Sequence, residues 1–111
     1  MTRTFTALAL LAAFAGTTFT TPAAAQPSFN CKLARTPDEI VICRTPVLQK
    51  RDRELAAVYT ALRNRLTGAA RAKLDADEAG WVKARGGCGS DPDCIEAAYD
   101  DQISLLQDYK P

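Results

Sequence analysis

Between residues 36 and 107 apolar side chains recur at spacings of three, four and seven, and no strand-like alternation stands out. Leu48, Leu55, Tyr59, Leu62 and Leu66 form one stripe, with Val58 beside it. Ala70, Leu74 and Trp81 form a second, and Ile95, Tyr99, Ile103 and Leu106 a third. Each stripe is the buried face of an amphipathic helix. Polar signals bound them. Thr36-Pro37-Asp38-Glu39 is a capping box with proline at the first helical position, and predicts a short helix from Pro37 to about Cys43. Thr45-Pro46 repeats the signal and opens a long helix to about Leu66, ended near Thr67-Gly68. A third helix runs from about Ala69 to Arg85, before Gly86-Gly87. Asp91-Pro92 caps a fourth, to about Gln107. Gly80 is a weak point inside the third helix, costing about 1 kcal/mol relative to alanine. The expected fold is all-α: one short helix plus three longer ones, packed as antiparallel neighbours through short loops.

Residues 1–25 break this pattern. Arg3 precedes an apolar run from Leu8 to Ala15, and Pro22 stands before Ala23-Ala24-Ala25. That is the layout of a cleaved secretory signal. The run is too short for a bilayer-spanning helix, which needs about 20 apolar residues. Cys31 follows Pro27-Ser28-Phe29-Asn30 rather than the apolar run itself, which argues against a lipid anchor. Cleavage after Ala25 leaves residues 26–111 as a single domain, periplasmic or secreted and not membrane-anchored. Loss of Arg3 leaves as many basic as acidic side chains, so the formal charge is zero. A nucleic-acid or membrane-surface binder needs a basic excess.

The chain has four cysteines, Cys31, Cys43, Cys88 and Cys94, all downstream of that signal. In a short exported chain an even number reads as a disulfide framework. Three connectivities are open. The two close pairs favour local clamps, Cys31–Cys43 and Cys88–Cys94, because crossed pairing requires both ends of the domain to meet within disulfide reach. Closing a loop of about 15 residues contributes roughly 3 kcal/mol in the chain-entropy model, a large share for so small a domain.

Three charged residues fall on or beside the stripes. Asp52 lies between Leu48 and Leu55, Glu78 one turn before Trp81, and Arg85 one turn after it. An unpaired charge facing a core costs several kcal/mol. The set therefore reads as an internal ion-pair network around Arg85, with Asp52 or Glu78 as its partner, or as the border of a binding groove. Trp81 reads as a core anchor. Lys50 to Glu54 and Arg63/Arg65 read as a solvated helix face. Asp75/Asp77/Glu78 and Asp91/Asp93 are local acidic patches, and Asp100/Asp101 is a face suited to a basic partner. Catalysis has little to stand on. The chain has no histidine and no nucleophile motif, and its cysteine spacing is not that of a zinc site. No metal or cofactor is expected, and the chain does not read as an enzyme.

Taken in order, Ser28-Phe29-Asn30-Cys31, Thr36-Pro37-Asp38-Glu39 leading to Ile42-Cys43, Leu48, Asp52-Arg53-Glu54-Leu55, Tyr59, Leu62, Trp81-Val82, Arg85, Cys88-Gly89, Cys94, Ala98-Tyr99 and Ile103 resemble the LprI-type lysozyme-inhibitor domain over residues 28–107. The chain departs from that pattern at Glu78, Gly86 and Gln102, where members tend to have glutamine, an acidic residue and arginine. The resemblance implies a small exported helical module that inhibits lysozyme-type muramidases. The expected mechanism is occlusion: a rigid surface covers the cleft, or an acidic side chain pairs with basic groups near it. The competing expectation is a non-inhibitory periplasmic scaffold or stress-associated interaction protein.

Overall fold

The cap signals become helix boundaries. The computed structural model describes residues 16–18 and 26–111. Apart from residues 16–18, the expected leader lies outside the described residues. Among the described residues four helices follow in order: α1 (Pro37–Arg44), α2 (Pro46–Arg65), α3 (Gly68–Gly86) and α4 (Pro92–Gln107). The Glu39 carboxylate accepts hydrogen bonds from the backbone N–H of Arg35 at 2.8 Å and of Thr36 at 3.3 Å, closing the first turn of α1. Thr45 alone separates α1 from α2. Pro46 has no N–H to continue α1 and a φ already suited to starting α2. The Asp91 carboxylate caps α4, accepting from the N–H groups of Asp93 at 3.0 Å and Cys94 at 3.2 Å. A 3-10 turn over Cys31–Leu33, capped by the Asn30 side chain, was not among the expected elements. Three residues are too few to carry a periodicity.

Residue-to-residue bonds give the helix directions. Arg63 on α2 pairs with Asp75 on α3 at 2.8 Å, and Arg71 donates back to the carbonyls of Arg63 and Leu66 at 3.2 and 2.9 Å. These two helices are antiparallel. Trp81 Nε1–H donates to the Ala98 carbonyl at 3.3 Å, and Gln102 Nε2–H to Glu78 at 3.0 Å, so α4 runs back along α3. Consequently α2 and α4 run side by side in the same direction. Arg51 Nε meets Asp100 across their seam at 2.8 Å. Arg51 and Arg63, expected on a solvated face, thus bridge helices. Both remain partly exposed, and pairs of this kind contribute about 0–1 kcal/mol.

The stripes converge on one core. Ile42, Leu48, Leu55, Leu62, Leu66, Leu74, Ile95, Tyr99 and Leu106 are buried, with Phe29, Val58, Trp81 and Ile103 packed against them. Full burial of such an aliphatic side chain is worth about 1.5–3 kcal/mol. Most of the packing is between α2 and α4, whereas α3 touches its neighbours more sparsely. The disulfides are local: Cys31–Cys43 (S–S 2.12 Å) ties the N-terminal strap, residues 26–35, to α1, and Cys88–Cys94 (2.03 Å) closes the α3–α4 turn. Gly89 in that turn has φ +59°, a conformation that glycine adopts without strain. Among the described residues no helix is long and apolar enough to cross a membrane.

Candidate functional site

Arg85 stands in the last turn of α3 and is only 5 % exposed. Its ionic partner is Asp38, in the first turn of α1 and 2 % exposed: Arg85 Nε–H donates to Asp38 Oδ2 at 2.8 Å. The expectation that Asp52 or Glu78 would pair directly with Arg85 is therefore corrected. Asp52 joins through a relay. Arg85 Nη1–H donates to the Tyr99 hydroxyl at 3.0 Å, and that hydroxyl donates to Asp52 Oδ1 at 2.9 Å. The other oxygen of Asp52 accepts from the backbone N–H of Ser28. One continuous hydrogen-bonded chain thus links all four helices and the N-terminal strap.

Electrostatics follows from this geometry. Burial is the largest influence on Asp38 and opposes its ionisation. Hydrogen bonds from Thr36 and Arg85, with the Arg85 charge, outweigh it and hold the carboxyl below its ordinary 3.8. Its place in the first turn of α1 also suits a negative charge. Burial pushes the Tyr99 hydroxyl far above its usual range, and the Asp52 carboxylate adds to this against Arg85. Tyr99 consequently stays a phenol and keeps its proton for Asp52. The Arg85 guanidinium carbon also lies 5.4 Å from the Trp81 ring centroid and 5.6 Å from that of Tyr99.

Glu78 lies apart from the relay. It is half-buried and accepts a hydrogen bond from Gln102. Burial raises its carboxyl above the ordinary 4.5; the Gln102 bond and Arg85 lower it, and Asp52 raises it further. Trp81 is a flanking residue of the core rather than a fully enclosed anchor, its ring 5.2 Å from that of Tyr99.

The sparse packing of α3 leaves a groove on either side of Trp81 and Arg85. The first, about 290 Å³, runs between α2 and α3 under the strap. Phe29, Leu55, Tyr59, Trp81 and Val82 supply its apolar walls, and Glu39, Asp52, Glu78 and Arg85 its polar groups. The second, about 240 Å³, lies between α3 and α4, with Ala98, Leu105, Gln102 and Asp101 along it. Among the described residues no group of three or more His, Cys, Asp or Glu side chains is arranged to hold a metal ion.

Asp52, Glu78 and Arg85, singled out from sequence, all border the first groove. Asp38, Tyr99 and Ser28 were missed as polar partners. Asp38 did carry a signal: it stands one turn before Ile42, so a helix burying Ile42 turns Asp38 inward too.

Residues 31–107 match the family model described as Lysozyme inhibitor LprI. No curated protein and no solved structure matches the chain. The matched span contains α1 to α4, both disulfides and every side chain of the Asp38–Arg85–Tyr99–Asp52 relay. The chain therefore belongs to the lysozyme inhibitor LprI family.

Proposed function

We propose that this chain is an exported binding protein that inhibits lysozyme-type peptidoglycan hydrolases by covering their catalytic cleft. Membership of an inhibitor family is the observation that carries the reading. Its physical features are in keeping with that role. Two disulfides suit an oxidising compartment outside the cytoplasm. The buried relay and the stapled strap make a preorganised body, which loses little conformational entropy on binding. Acidic side chains at the α2–α3 groove suit basic groups beside a hydrolase cleft. A rate assay tests the reading: the purified protein, added in micromolar excess to several lysozymes, slows hydrolysis of cell-wall peptidoglycan by at least one of them. Unchanged rates throughout would leave the non-inhibitory scaffold as the better account.

A further inference from the structure

We infer that the groove between α2 and α3 is an interaction surface that receives a lysine or arginine side chain of a protein partner. The identity of that partner as a hydrolase rests on the inhibitor reading above; the chemistry of the groove does not.

Charge separates this groove from its neighbour. Its charged side chains are the carboxylates of Glu39, Asp52 and Glu78 and a single guanidinium, that of Arg85. Arg85 is already committed to Asp38 and to the Tyr99 hydroxyl. Asp52 is held by Tyr99 and Ser28, and Glu39 by the backbone of Arg35 and Thr36. Glu78 alone is left with a neutral partner, Gln102. Among the described residues no lysine or arginine nitrogen comes within 4.0 Å of its carboxylate. The second groove sets one carboxylate, Asp101, against the same guanidinium, and so has no such excess.

The walls suit the remainder of a basic side chain. Ala56, Val82 and Phe29 offer apolar surface to its methylene stem, and the Tyr59 and Trp81 rings offer a π-system to its charged end. A cation seated beside Glu78 would give a half-buried carboxylate the ionic partner that the chain itself does not supply. That contact forms only with the partner and is withheld from a neutral side chain of the same shape, which makes it a source of specificity.

Trp81 is the only tryptophan in the chain, so its fluorescence reports on the groove directly. The probe is a blocked peptide of alternating arginine and glycine, compared with the same peptide carrying uncharged citrulline. The expected result is a saturable change with arginine and none with citrulline. The dissociation constant should rise roughly tenfold or more in Glu78→Gln, and likewise in Val82→Arg, which places a like charge at the rim. Leu105→Arg, on the second groove, should bind as wild type does. Val82 and Leu105 are 41 % and 57 % exposed, so both substitutions are compatible with folding, to be verified by circular dichroism. Equal responses to arginine and citrulline, no saturable response, unchanged binding in both groove variants, or a saturable response to a chitin oligosaccharide in place of the peptide would each overturn the assignment.

The same variants separate the two claims in the hydrolase assay. A positive peptide titration without any hydrolase inhibition supports the groove and sinks the inhibitor reading. Inhibition that persists undiminished in both Glu78→Gln and Val82→Arg sinks the groove and leaves the inhibitor reading standing.

Discussion

Arg85 and Asp38 meet at 2.8 Å across a sequence separation of 47 residues, both almost fully buried. Their pairing docks the short first helix against the end of the third. Removing one partner strands a buried charge, which costs about 3–5 kcal/mol. We expect Asp38→Ala to lower the unfolding free energy by that order in urea titrations. Replacing both residues with apolar side chains of similar size should cost markedly less than the two single changes added together. A single change costing under about 0.5 kcal/mol, as ordinary surface substitutions do, would contradict the burial of the pair.

The two carboxyl groups shift in opposite directions, and their effects on stability oppose each other. Asp38 is held below its ordinary 3.8, so its contribution is fully present above that value and is lost as pH falls through the lower folded value. Asp38→Asn should therefore flatten the acid limb of a stability–pH curve below 3.8. Glu78 is raised above its ordinary 4.5, so the folded state favours its protonated form, and stability is lost as pH rises from 4.5 through the folded value. Glu78→Gln should be more stable than wild type at neutral pH, with the difference vanishing below 4.5. Urea midpoints measured from pH 3 to 8 check both. A Glu78→Gln variant less stable than wild type at pH 7 would contradict the burial of that carboxylate.

Gly80 is the clearest site for stabilisation. It sits inside α3, and a Cβ built there meets nothing within 4 Å. Gly80→Ala should raise stability by about 0.5–1 kcal/mol, through helix propensity and a less flexible unfolded chain. A thermal melt showing a decrease would mean that this part of α3 is not regular helix.

The disulfides close short loops, with sequence separations of 12 and 6. Non-reducing peptide mapping should recover Cys31–Cys43 and Cys88–Cys94 and no peptide joining the two ends. Loss of Cys31–Cys43 releases the strap that carries the Ser28–Asp52 bond. The Cys31→Ser/Cys43→Ser double variant should therefore lose about 2–4 kcal/mol and also weaken peptide binding in the α2–α3 groove. Wild-type binding in that variant would show that the strap plays no part in the site.

The helices were legible in the sequence because caps and stripes are local. Thr36-Pro37, Thr45-Pro46 and Asp91-Pro92 each act within one turn, and each marks a helix start in the structure. The cysteine pairs were legible for the same reason. The relay was not. Asp52, Glu78 and Arg85 stood out by lying on or beside apolar stripes, but the residue that Arg85 pairs with depends on where α1 docks. The cap motif also gave Asp38 an adequate local explanation. Arg51 and Arg63 show the same limit: a charged helix face looks alike in sequence whether it meets water or a neighbouring helix.

Whether this protein acts on a hydrolase is read from the rate of peptidoglycan hydrolysis. Lysozyme is titrated with the wild-type protein, with Glu78→Gln and with Leu105→Arg. Wild type and Leu105→Arg should inhibit, with roughly tenfold more protein needed for the Glu78→Gln variant. Hydrolysis that runs at the uninhibited rate with all three proteins in micromolar excess would contradict the inhibitor reading.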